Sequence, residues 1–350
     1  MSTEMEAVPL LMVGNFLSES VGTRGVCEDL ALQLLQSGWP VITTSNRVSR
    51  LPRLLDMLKT VWRNRRDFSV AQVDVYSGMG FWWAEAVCGL LGLMNKPYVL
   101  TLHGGNLPNF SERWPGRVHR LLSGATAVTA PSRYLLERMR KYRTDLRLHP
   151  NPVPLERYHF RIRVVPVPRL LWLRAFHSVY NPCLAARVMH LLLPEFPSAR
   201  LTMFGPDKGD GSLKAMQVLM SRIGVCQHIN IAGKIAKHSV PQVLDQADIF
   251  LNTTNVDNTP VSIIEAMASG MCIVSTNVGG LSYLLEDGKD SLLVPADDAE
   301  AMAQAVSRIL TEPGLAEQLS LNARRKAEQF DWSVVLPQWK QLLQSVAYRQ

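Results

Sequence analysis

DNTPVSIIEAMASG, residues 257–270, is the stretch of this chain that decides its fold. Its apolar residues recur at helical spacing, which predicts a short helix. Thr259 is predicted as the N-cap and Pro260 as the first helical residue, where the missing N–H of proline costs nothing. Gly270 predicts the end of the helix, because glycine readily adopts the left-handed conformation that follows a last turn. The stretch is therefore expected to form a loop, a sharp helix start, a short helix and a stop.

Strand-like runs at 248–252 and 272–275 lie on either side of this helix, which is typical of a parallel α/β sheet. In such a sheet, the loop from a strand to the next helix lies at the carboxyl edge, where ligands bind. The helix N-terminus presents free N–H groups and a partial positive charge, which favour a phosphate. Two acids, Asp257 and Glu265, stand on either side of the helix start, and a carboxylate buried in the helix would need a partner.

The alternation of strands and helices continues along the whole chain. In the first half, strands are predicted at 10–14, 41–44, 71–75, 98–102 and 125–129, and helices at 24–37, 50–64, 81–93, 115–123 and 132–141. Five prolines between His149 and Pro168 interrupt this rhythm and predict a stiff connector. Beyond it, strands are predicted at 169–174, 199–204, 228–231, 248–252, 272–275 and 291–294, and further helices at 182–193, 212–223, 240–246, 298–310, 314–329 and 332–347. The pattern predicts an α/β protein with doubly wound domains at 1–160 and 161–330 and a C-terminal helix at 331–350.

Composition limits the possible classes of function. The chain has 350 residues, of which 47% are hydrophobic, so it is expected to be globular rather than disordered. Its five cysteines have neither the spacing of a zinc site nor that of a disulfide framework, which fits a reducing cytoplasm. The N-terminus does not resemble a secretory signal, and no apolar run reaches the length of a membrane span.

The net charge of +7 raises the question of an anionic partner. Nucleic acid is not expected, because the basic residues lack an interleaved aromatic module. The predicted helix at 50–64 carries leucines on one face and arginines around it. Such a helix could lie on an anionic membrane surface. It could also pack on the sheet through its leucines with the arginines in solvent, which is the favoured interpretation, and its basic side could still face lipid head groups.

The region 257–280 resembles the signature of the retaining, nucleotide-sugar-dependent glycosyltransferases of the GT-B fold, a group with many bacterial polysaccharide and lipopolysaccharide transferases. That signature is an acid, seven residues, Glu-Ala-Met-Ala-x-Gly and then a Gly-Gly pair, which is Asp257, Glu265 to Gly270 and Gly279-Gly280 in this chain. The family usually has Glu at the first position, so Asp257 is a shorter variant. The resemblance implies two Rossmann-like doubly wound domains that face each other across a cleft, with acceptor binding in the first and donor binding in the second.

The resemblance also implies roles for single residues. Asp257 would contact hydroxyls of the donor sugar, the amides around 260–262 would hold the diphosphate, and Glu265 would accept hydrogen bonds from the ribose. Gly22 and Gly25 follow the first strand, where the family has a glycine-rich loop. The residues expected to bind the donor are Gly22, Gly25, Arg174, Lys208, Asp257, Asn258, Thr259, Pro260, Val261, Ser262 and Glu265.

Three residues, His103, Arg174 and Asp257, are implied to take part in transfer. His103 follows a strand and precedes two glycines, so it is expected to face the cleft with little shielding, near the transferred sugar. Arg174 ends the first strand of the second domain, where its charge would neutralise the leaving diphosphate without an obligatory metal. The family's lysine about five residues later is missing, which leaves a divergent or weak enzyme open. Candidates to replace it are Asn181, His177 and Lys208.

The function implied by the resemblance is transfer of a sugar, with retention, from a nucleotide-diphosphate donor to a glycan or lipid-linked acceptor in cell-surface polysaccharide synthesis. No metal and no cofactor besides the donor substrate are expected. The implied location is cytoplasmic, with peripheral contact at the inner face of the cell membrane. Two other classes stay open: a non-catalytic sugar-nucleotide-binding partner of another transferase, and a nucleotide-sugar epimerase of the same fold.

Overall fold

The computed structural model describes residues 7–18 and 24–348. The chain divides into two compact units. The first unit comprises the described residues up to Pro152 together with those from Ser333 onward, and the second unit runs from Val153 to Trp332. Each unit contains one six-stranded sheet flanked by helices. The predicted α/β class is therefore confirmed.

The sheet of the first unit has the strand order β2-β1-β3-β4-β5-β6, and all of its pairings are parallel. The order along the chain reverses between β1 and β3, which makes the gap between them the topological switch point. The strands are β1 Leu10–Val13, β2 Val41–Thr44, β3 Val70–Val75, β4 Tyr98–Leu102, β5 Ala127–Ala130 and β6 Arg147–Leu148. The helices are α1 Val26–Gln36, α2 Arg50–Arg63, α3 Met79–Leu93, α4 Leu107–Arg113, α5 Pro115–Gly124 and α6 Arg133–Met139.

The sheet of the second unit has the order β12-β11-β10-β7-β8-β9, again with parallel pairings. Counted along the unit, this is the Rossmann order, with the switch point between β7 and β10. The strands are β7 Arg169–Leu173, β8 Arg200–Phe204, β9 Ile229–Gly233, β10 Ile249–Asn252, β11 Cys272–Thr276 and β12 Leu292–Val294. The helices are α7 Pro182–Leu192, α8 Ser212–Arg222, α9 Val240–Asp245, α10 Val261–Ala268, α11 Leu281–Leu284, α12 Ala299–Thr311 and α13 Leu315–Ala327.

The strands form where short apolar runs are buried on both faces, as expected for parallel sheets covered by helices. Every residue of β1, β3, β4, β10 and β11 is buried. Polar residues interrupt four of these runs, and in β3 and β4 the buried polar residues are Gln72, Asp74 and Thr101. Buried polar groups need hydrogen-bond partners, so the ends of β3 and β4 are places where chemistry is expected.

Helix α2 packs on the core with only part of the predicted apolar face, since Val61 is buried and Leu58 packs against the core. Leu51, Leu55 and Trp62 were expected against the sheet, but they are 73%, 66% and 53% exposed. These three side chains stay exposed because Arg53 is buried on the packed side of the helix. Its guanidinium donates to the backbone oxygens of Arg47 and Val48 and to the side chain of Asn15. The residues of α2 that are buried are Arg53, Met57 and Val61.

The segment that follows Pro152 has little regular structure apart from a short 3₁₀ turn at Leu155–Arg157. It is fixed to the second unit by Arg163, whose side chain is fully buried. The Arg163 guanidinium donates to the backbone oxygen of Ala247 at 3.0 Å and to that of Ser269. Burial lowers the pKa of Arg163 to about 10. A buried cation is therefore one of the contacts that hold the proline-rich connector in place.

The C-terminal helix α14 (Trp332–Ala347) belongs to the first unit from Ser333 onward. Trp339, Leu342, Leu343 and Val346 of this helix are buried. The Trp339 ring lies 4.9 Å from the ring of His149. None of the helices that the structure describes combines the length and the apolar character needed to cross a lipid bilayer.

Candidate functional site

The switch point of the second sheet lies between β7 and β10, and both strands lead into polar residues there. Arg174 directly follows β7, while Asn252 ends β10 and Asp257 lies in the loop beyond it. The Arg174 guanidinium donates to a carboxylate oxygen of Asp257 and, at 3.4 Å, to the side-chain oxygen of Asn252. Asn252 donates in turn to the hydroxyl of Ser275 at 2.9 Å. An anchored ion pair therefore occupies the edge at which a Rossmann-type sheet binds its ligand.

This ion pair is only partly covered by protein. The side chains of Arg174 and Asp257 are 13% and 15% exposed. The guanidinium carbon lies 5.0 Å from the ring centroid of Tyr180, which supports the flat face of the cation. The second carboxylate oxygen of Asp257 accepts the backbone N–H of Asn258 at 2.8 Å. A guanidinium has five N–H donors, so Arg174 keeps donors for an anionic ligand.

Three glycines allow the backbone to approach this ion pair closely. A Cβ atom at Gly205 would overlap the carbonyl oxygen of Arg174, and one at Gly279 would overlap that of Asp257. A Cβ atom at Gly280 would overlap the carbonyl oxygen of Asn258. The N–H of Gly280 donates to the carbonyl oxygen of Asp257 at 2.9 Å. The Gly-Gly pair of the sequence signature therefore holds the loop that carries Asp257.

Helix α10 starts directly after this loop, one residue later than predicted. Thr259 is not the N-cap and Pro260 is not the first helical residue. Pro260 has extended backbone angles, φ −71° and ψ 121°, and its carbonyl oxygen accepts the N–H of Ile263 at 3.1 Å, so it takes the N-cap position itself. No side chain caps the helix, and the Ser262 hydroxyl is buried with no hydrogen-bond partner among the described residues. Such a start offers N–H groups to an anion.

The end of α10 is as predicted. Gly270 has φ +69°, a left-handed conformation that favours glycine. A Cβ atom at this position would lie 2.7 Å from the carbonyl oxygen of Arg161 and equally close to the ring of Phe160. The stop is therefore fixed both by its backbone conformation and by the close passage of the connector.

Glu265 is buried in α10 and has a partner that the sequence did not reveal. The hydroxyl of Tyr158 donates to its carboxylate at 2.8 Å. Burial raises the pKa of Glu265, and the Tyr158 hydrogen bond and the positive charges of Lys237 and Arg174 oppose this rise. Glu265 is thus a carboxylate without a close ion-pair partner among the described residues, within the field of two cations. Such a group can accept hydrogen bonds from ligand hydroxyls.

None of the three residues considered as substitutes for the missing lysine joins the Arg174–Asp257 pair. Asn181 caps α7, since its side-chain oxygen accepts the N–H of Leu184 at 3.3 Å, and its amide donates to Asp297. His177 lies 3.7 Å from the carboxylate of Asp210. Lys208 is exposed in the loop after β8, where its backbone N–H donates to Phe176. Lys237, which sequence reasoning did not single out, acts on the nearby Glu265 through its positive charge.

In the first unit, His103 is more enclosed than expected. Its imidazole Nε2 lies 3.0 Å from Oδ1 of Asp74, and the two side chains are 8% and 2% exposed. The expectation of little shielding is therefore wrong, because the ring turns into the sheet edge and stacks on Tyr76 at 4.8 Å. Asp74 was not predicted to belong to a site. The signal available was an acid within the apolar run of β3.

The predicted glycine-rich loop lies only partly within the described residues. Gly22 lies outside them. Gly25 precedes α1, and its N–H donates to the carboxylate of Glu28 at 2.6 Å. The other oxygen of Glu28 accepts the N–H of Ser18 at 2.9 Å. In this structure the amide of Gly25 is therefore bonded to an acid of the same helix.

Two sequence families match this chain, one in each half. Residues 22–157 match the family described as Glycosyltransferase Family 4, and residues 167–312 match Glycosyl transferases group 1. Among curated proteins, the putative colanic acid biosynthesis glycosyltransferase WcaL of Salmonella typhimurium is 28% identical over 195 residues, which are 53% of this chain and 45% of the relative. The chain spans less than half the length of the first curated relatives that it matches.

Solved structures resemble the chain over nearly its whole length. Sucrose-phosphate synthase from Thermosynechococcus elongatus superimposes with a TM-score of 0.79 and 17% identity, over 97% of this chain and 98% of the other. HepE from Anabaena, solved in complex with UDP and glucose, gives a TM-score of 0.75 and 15% identity, over 97% and 100% of the two chains. At this level of identity the likeness establishes the fold.

Proposed function

This chain belongs to the glycosyltransferases of group 1 and family 4, which have the GT-B fold, and on that premise we propose that it transfers a sugar from a nucleotide-diphosphate donor to a glycan or lipid-linked acceptor. The reaction would retain the anomeric configuration. The acceptor oxygen forms the new bond to the anomeric carbon while the bond to the donor phosphate breaks, and a phosphate oxygen accepts the acceptor's proton. The proposed setting is the synthesis of a cell-surface polysaccharide such as lipopolysaccharide.

The observation that carries this proposal is the placement of Arg174 and Asp257 at the switch point, beside the uncapped start of α10. Departure of a nucleotide diphosphate requires positive charge at its oxygens. Arg174 supplies a permanent charge there, and the N–H groups around 261–262 supply oriented dipoles. Asp257 can accept hydrogen bonds from sugar hydroxyls, and Glu265 can do so from a ribose. These groups have the chemistry that the proposed roles of Arg174, Asp257 and Glu265 require.

A second candidate function is donor binding without catalysis, as a partner of another transferase. It is favoured by the missing lysine and by the engagement of Arg174 with Asp257, which reduces the positive charge available for a leaving group. Binding alone requires only hydrogen bonds and shape, whereas transfer requires charge stabilisation in the transition state. The two candidates therefore differ in turnover rather than in donor affinity.

The test begins with thermal shifts against UDP-, GDP- and ADP-sugars. A donor at 100 times its dissociation constant stabilises the native protein by about 2.7 kcal/mol. We expect one nucleotide class to raise the melting temperature, and Glu265→Ala to abolish the shift. Glu317→Ala, which removes an exposed acid from α13, is the matched control and should keep the shift. No shift with any donor would contradict the proposal.

The same donor is then incubated with candidate glycan acceptors. Release of the nucleotide diphosphate that depends on the acceptor supports transfer, and NMR of the product reports whether the anomeric configuration is retained. A shift without release would instead support the non-catalytic candidate. Conversion of the donor sugar in the absence of any acceptor would support an epimerase.

We also propose that the first unit contacts an anionic membrane surface, which suits a lipid-linked acceptor. The outer face of α2, made up of Leu51, Leu55, Lys59, Trp62 and Arg63, is exposed. It combines apolar side chains with two cations, and Arg47, Arg50, Arg65 and Arg66 lie close by in sequence. A basic residue near an anionic surface contributes about 1 kcal/mol. Apolar side chains can enter the interface beside it.

Vesicle sedimentation tests this contact. The protein should pellet with vesicles that contain phosphatidylserine and much less with neutral phosphatidylcholine vesicles. The double variant Leu51→Ser, Leu55→Ser should lose this binding while keeping the donor-induced thermal shift. Leu93→Ser, which changes an exposed leucine at the end of α3, is the control. Equal sedimentation of the double variant and the wild type would exclude the outer face of α2 as the contact.

A further inference from the structure

Asp74 is a buried carboxylate whose only ion-pair partner among the described residues is His103. Its Oδ1 faces Nε2 of His103 at 3.0 Å and also accepts a hydrogen bond from Nε2 of Gln72 at 2.8 Å. The Gln72 amide donates as well to the Thr101 hydroxyl at 2.7 Å. Asp74 and Gln72 come from β3, Thr101 from β4, and His103 follows β4, so the network joins two neighbouring strands. It holds the orientation of the carboxylate toward the histidine.

The surroundings of Asp74 keep its neighbours neutral. Burial, followed by the negative charge of Asp74, raises the pKa of the Cys27 thiol and that of the Tyr76 hydroxyl. Oδ2 of Asp74 borders a small cavity of about 20 Å³, next to Gly14. Oδ2 itself makes no hydrogen bond to a described residue. The thiol and the phenol beside Asp74 thus stay neutral, and the imidazole of His103 is its ion-pair partner among the described residues.

The contact with Asp74 decides which nitrogen of His103 carries the proton in the neutral ring. An ionised carboxylate accepts hydrogen bonds and donates none, so Nε2 must carry a hydrogen. The neutral ring then has Nδ1 as its acceptor. Nδ1 makes no hydrogen bond to a described residue, and Tyr76 stacks on the ring at 4.8 Å with planes 16° apart. The tautomer and the plane of the ring are thus both fixed by neighbours.

We propose that Asp74 is a positioning residue, which fixes His103 in the Nε2–H form so that Nδ1 accepts a hydrogen bond from a hydroxyl of a substrate sugar. The assignment of a sugar as the ligand rests on the proposed function. Asp74 lies at the end of β3 beside the switch point of the first sheet, and His103 follows the adjacent strand, so Nδ1 belongs to the ligand-binding edge. Asp74 itself does not touch the substrate and acts through the imidazole.

The first test reads the tautomer directly in the full-length protein. Two-bond ¹H–¹⁵N correlation spectra of the ¹⁵N-labelled protein distinguish the Nε2–H from the Nδ1–H form. The chain has eight histidines, and comparison with His103→Gln assigns the signals of His103. We expect the pure Nε2–H form in the wild type and in Asp74→Asn, whose side-chain oxygen can still accept, and a mixture in Asp74→Ala. An Nδ1–H ring in the wild type would overturn the proposal, even if Asp74→Ala failed to fold.

The second test separates positioning from a structural role. Asp74→Ala should lower kcat by roughly 10- to 100-fold, as for outer groups that orient a functional imidazole, with a much smaller change in the KM of the donor. Asp74→Asn should restore most of the rate. A folded Asp74→Ala protein with unchanged kcat would overturn the proposal. A wild type without transfer activity would instead contradict the proposed function, and the tautomer would still be decided by the spectra.

Discussion

Strand β10 has an aspartate near each of its ends, and each aspartate is paired with arginine, but the two pairs are built differently. Asp248 precedes the strand and is buried, with Arg161 at 2.6 Å and the N–H of Val167 at 2.9 Å. Arg163, fully buried, lies 3.5 Å from the same carboxylate. Asp257 follows the strand and is bound by Arg174 alone among the described cations. The carboxylate at the amino end of the strand contacts several donors, whereas the carboxylate at the other end is bound by one arginine.

The difference separates structure from ligand binding within one strand. At the amino end, burial alone would raise the pKa of Asp248, but the Val167 N–H and the charge of Arg161 hold it below its ordinary value. These contacts tie the connector to the sheet. At the carboxyl end, Arg174 retains unused N–H donors at the edge where a Rossmann-type sheet binds its ligand. A saturated pair contributes to the fold, whereas an incompletely satisfied pair is suited to bind a substrate.

The largest effect is expected from Arg163→Met. This change removes a donor from the carbonyl oxygens of Ala247 and Ser269 and a cation from the carboxylate of Asp248. Removal of one partner from a buried ionic network costs about 3–5 kcal/mol. Hydrogen exchange in peptides from the second unit should rise accordingly. The donor should still raise the melting temperature of the variant.

The matched control for Arg163 is Arg169→Met. Arg169 also lies 3.5 Å from Asp248, but its side chain is 54% exposed. An exposed pair contributes about 0–1 kcal/mol, so exchange should change little. A similar rise in hydrogen exchange in both variants would show that the burial of Arg163 is not what makes the amino end of β10 structural.

The next effect is expected from Arg174→Met, and it should appear in catalysis rather than in stability. Loss of one preorganised donor to developing charge costs roughly 10²- to 10³-fold in kcat. The side chains of this pair are 13% and 15% exposed, against 0% and 2% for Arg163 and Asp248, so the free energy of unfolding should fall by less than in Arg163→Met. Steady-state kinetics and urea unfolding measure the two quantities on the same preparation.

Arg187→Met provides the comparison for Arg174. Arg187 pairs with Asp297 on the surface of the same unit, with both side chains more than one third exposed. Its removal should leave kcat unchanged. If Arg174→Met lost stability as Arg163→Met does and kept its kcat, the open pair at the carboxyl end would have to be reassigned to structure.

Much of the fold could be predicted from the sequence, since short apolar runs that are buried on both faces can be read directly. The face of α2 could not be predicted in this way. Its apolar residues admit two orientations, and the choice depended on Arg53, whose guanidinium finds acceptors at Asn15, Arg47 and Val48. These acceptors belong to loops whose positions the helical pattern does not contain. Local spacing therefore specified the helix and not its buried side.

The candidate site shows the same limit. The signature predicted that Asp257, Glu265 and the Gly-Gly pair lie around one helix start, because they are close together in sequence. Asp74, the partner of His103, lies on another strand, and only the order of the strands brings the two together. Tyr158, the partner of Glu265, lies in the connector, and only the path of the connector brings it close. The roles of the predicted site residues in binding and transfer stay predictions until the variants are measured.

The smallest effect is expected from Glu265→Gln, which changes an acid that has no ion-pair partner among the described residues. Burial raises the pKa of Glu265 above its ordinary value of 4.5, so the folded protein binds this proton more tightly than the unfolded chain. The carboxylate therefore lowers the free energy of unfolding as the pH rises from 4.5 through the folded pKa. Glutamine does not ionise, so it avoids this loss of stability, and it still offers Tyr158 an acceptor oxygen. Glu265→Gln should therefore melt at a higher temperature than the wild type at pH 7, and the difference should vanish below pH 4.5.

Melting temperatures between pH 4 and pH 8 test this, with Glu317→Gln as the exposed control, which should follow the wild type throughout. The donor-induced thermal shift at pH 7 should decrease in Glu265→Gln, because an amide offers one acceptor oxygen where the carboxylate offers two. Higher stability together with weaker donor binding would identify Glu265 as a carboxylate retained for its ligand at the expense of the fold. Lower stability at pH 7 would place it with Asp248, as an acid that the fold itself requires.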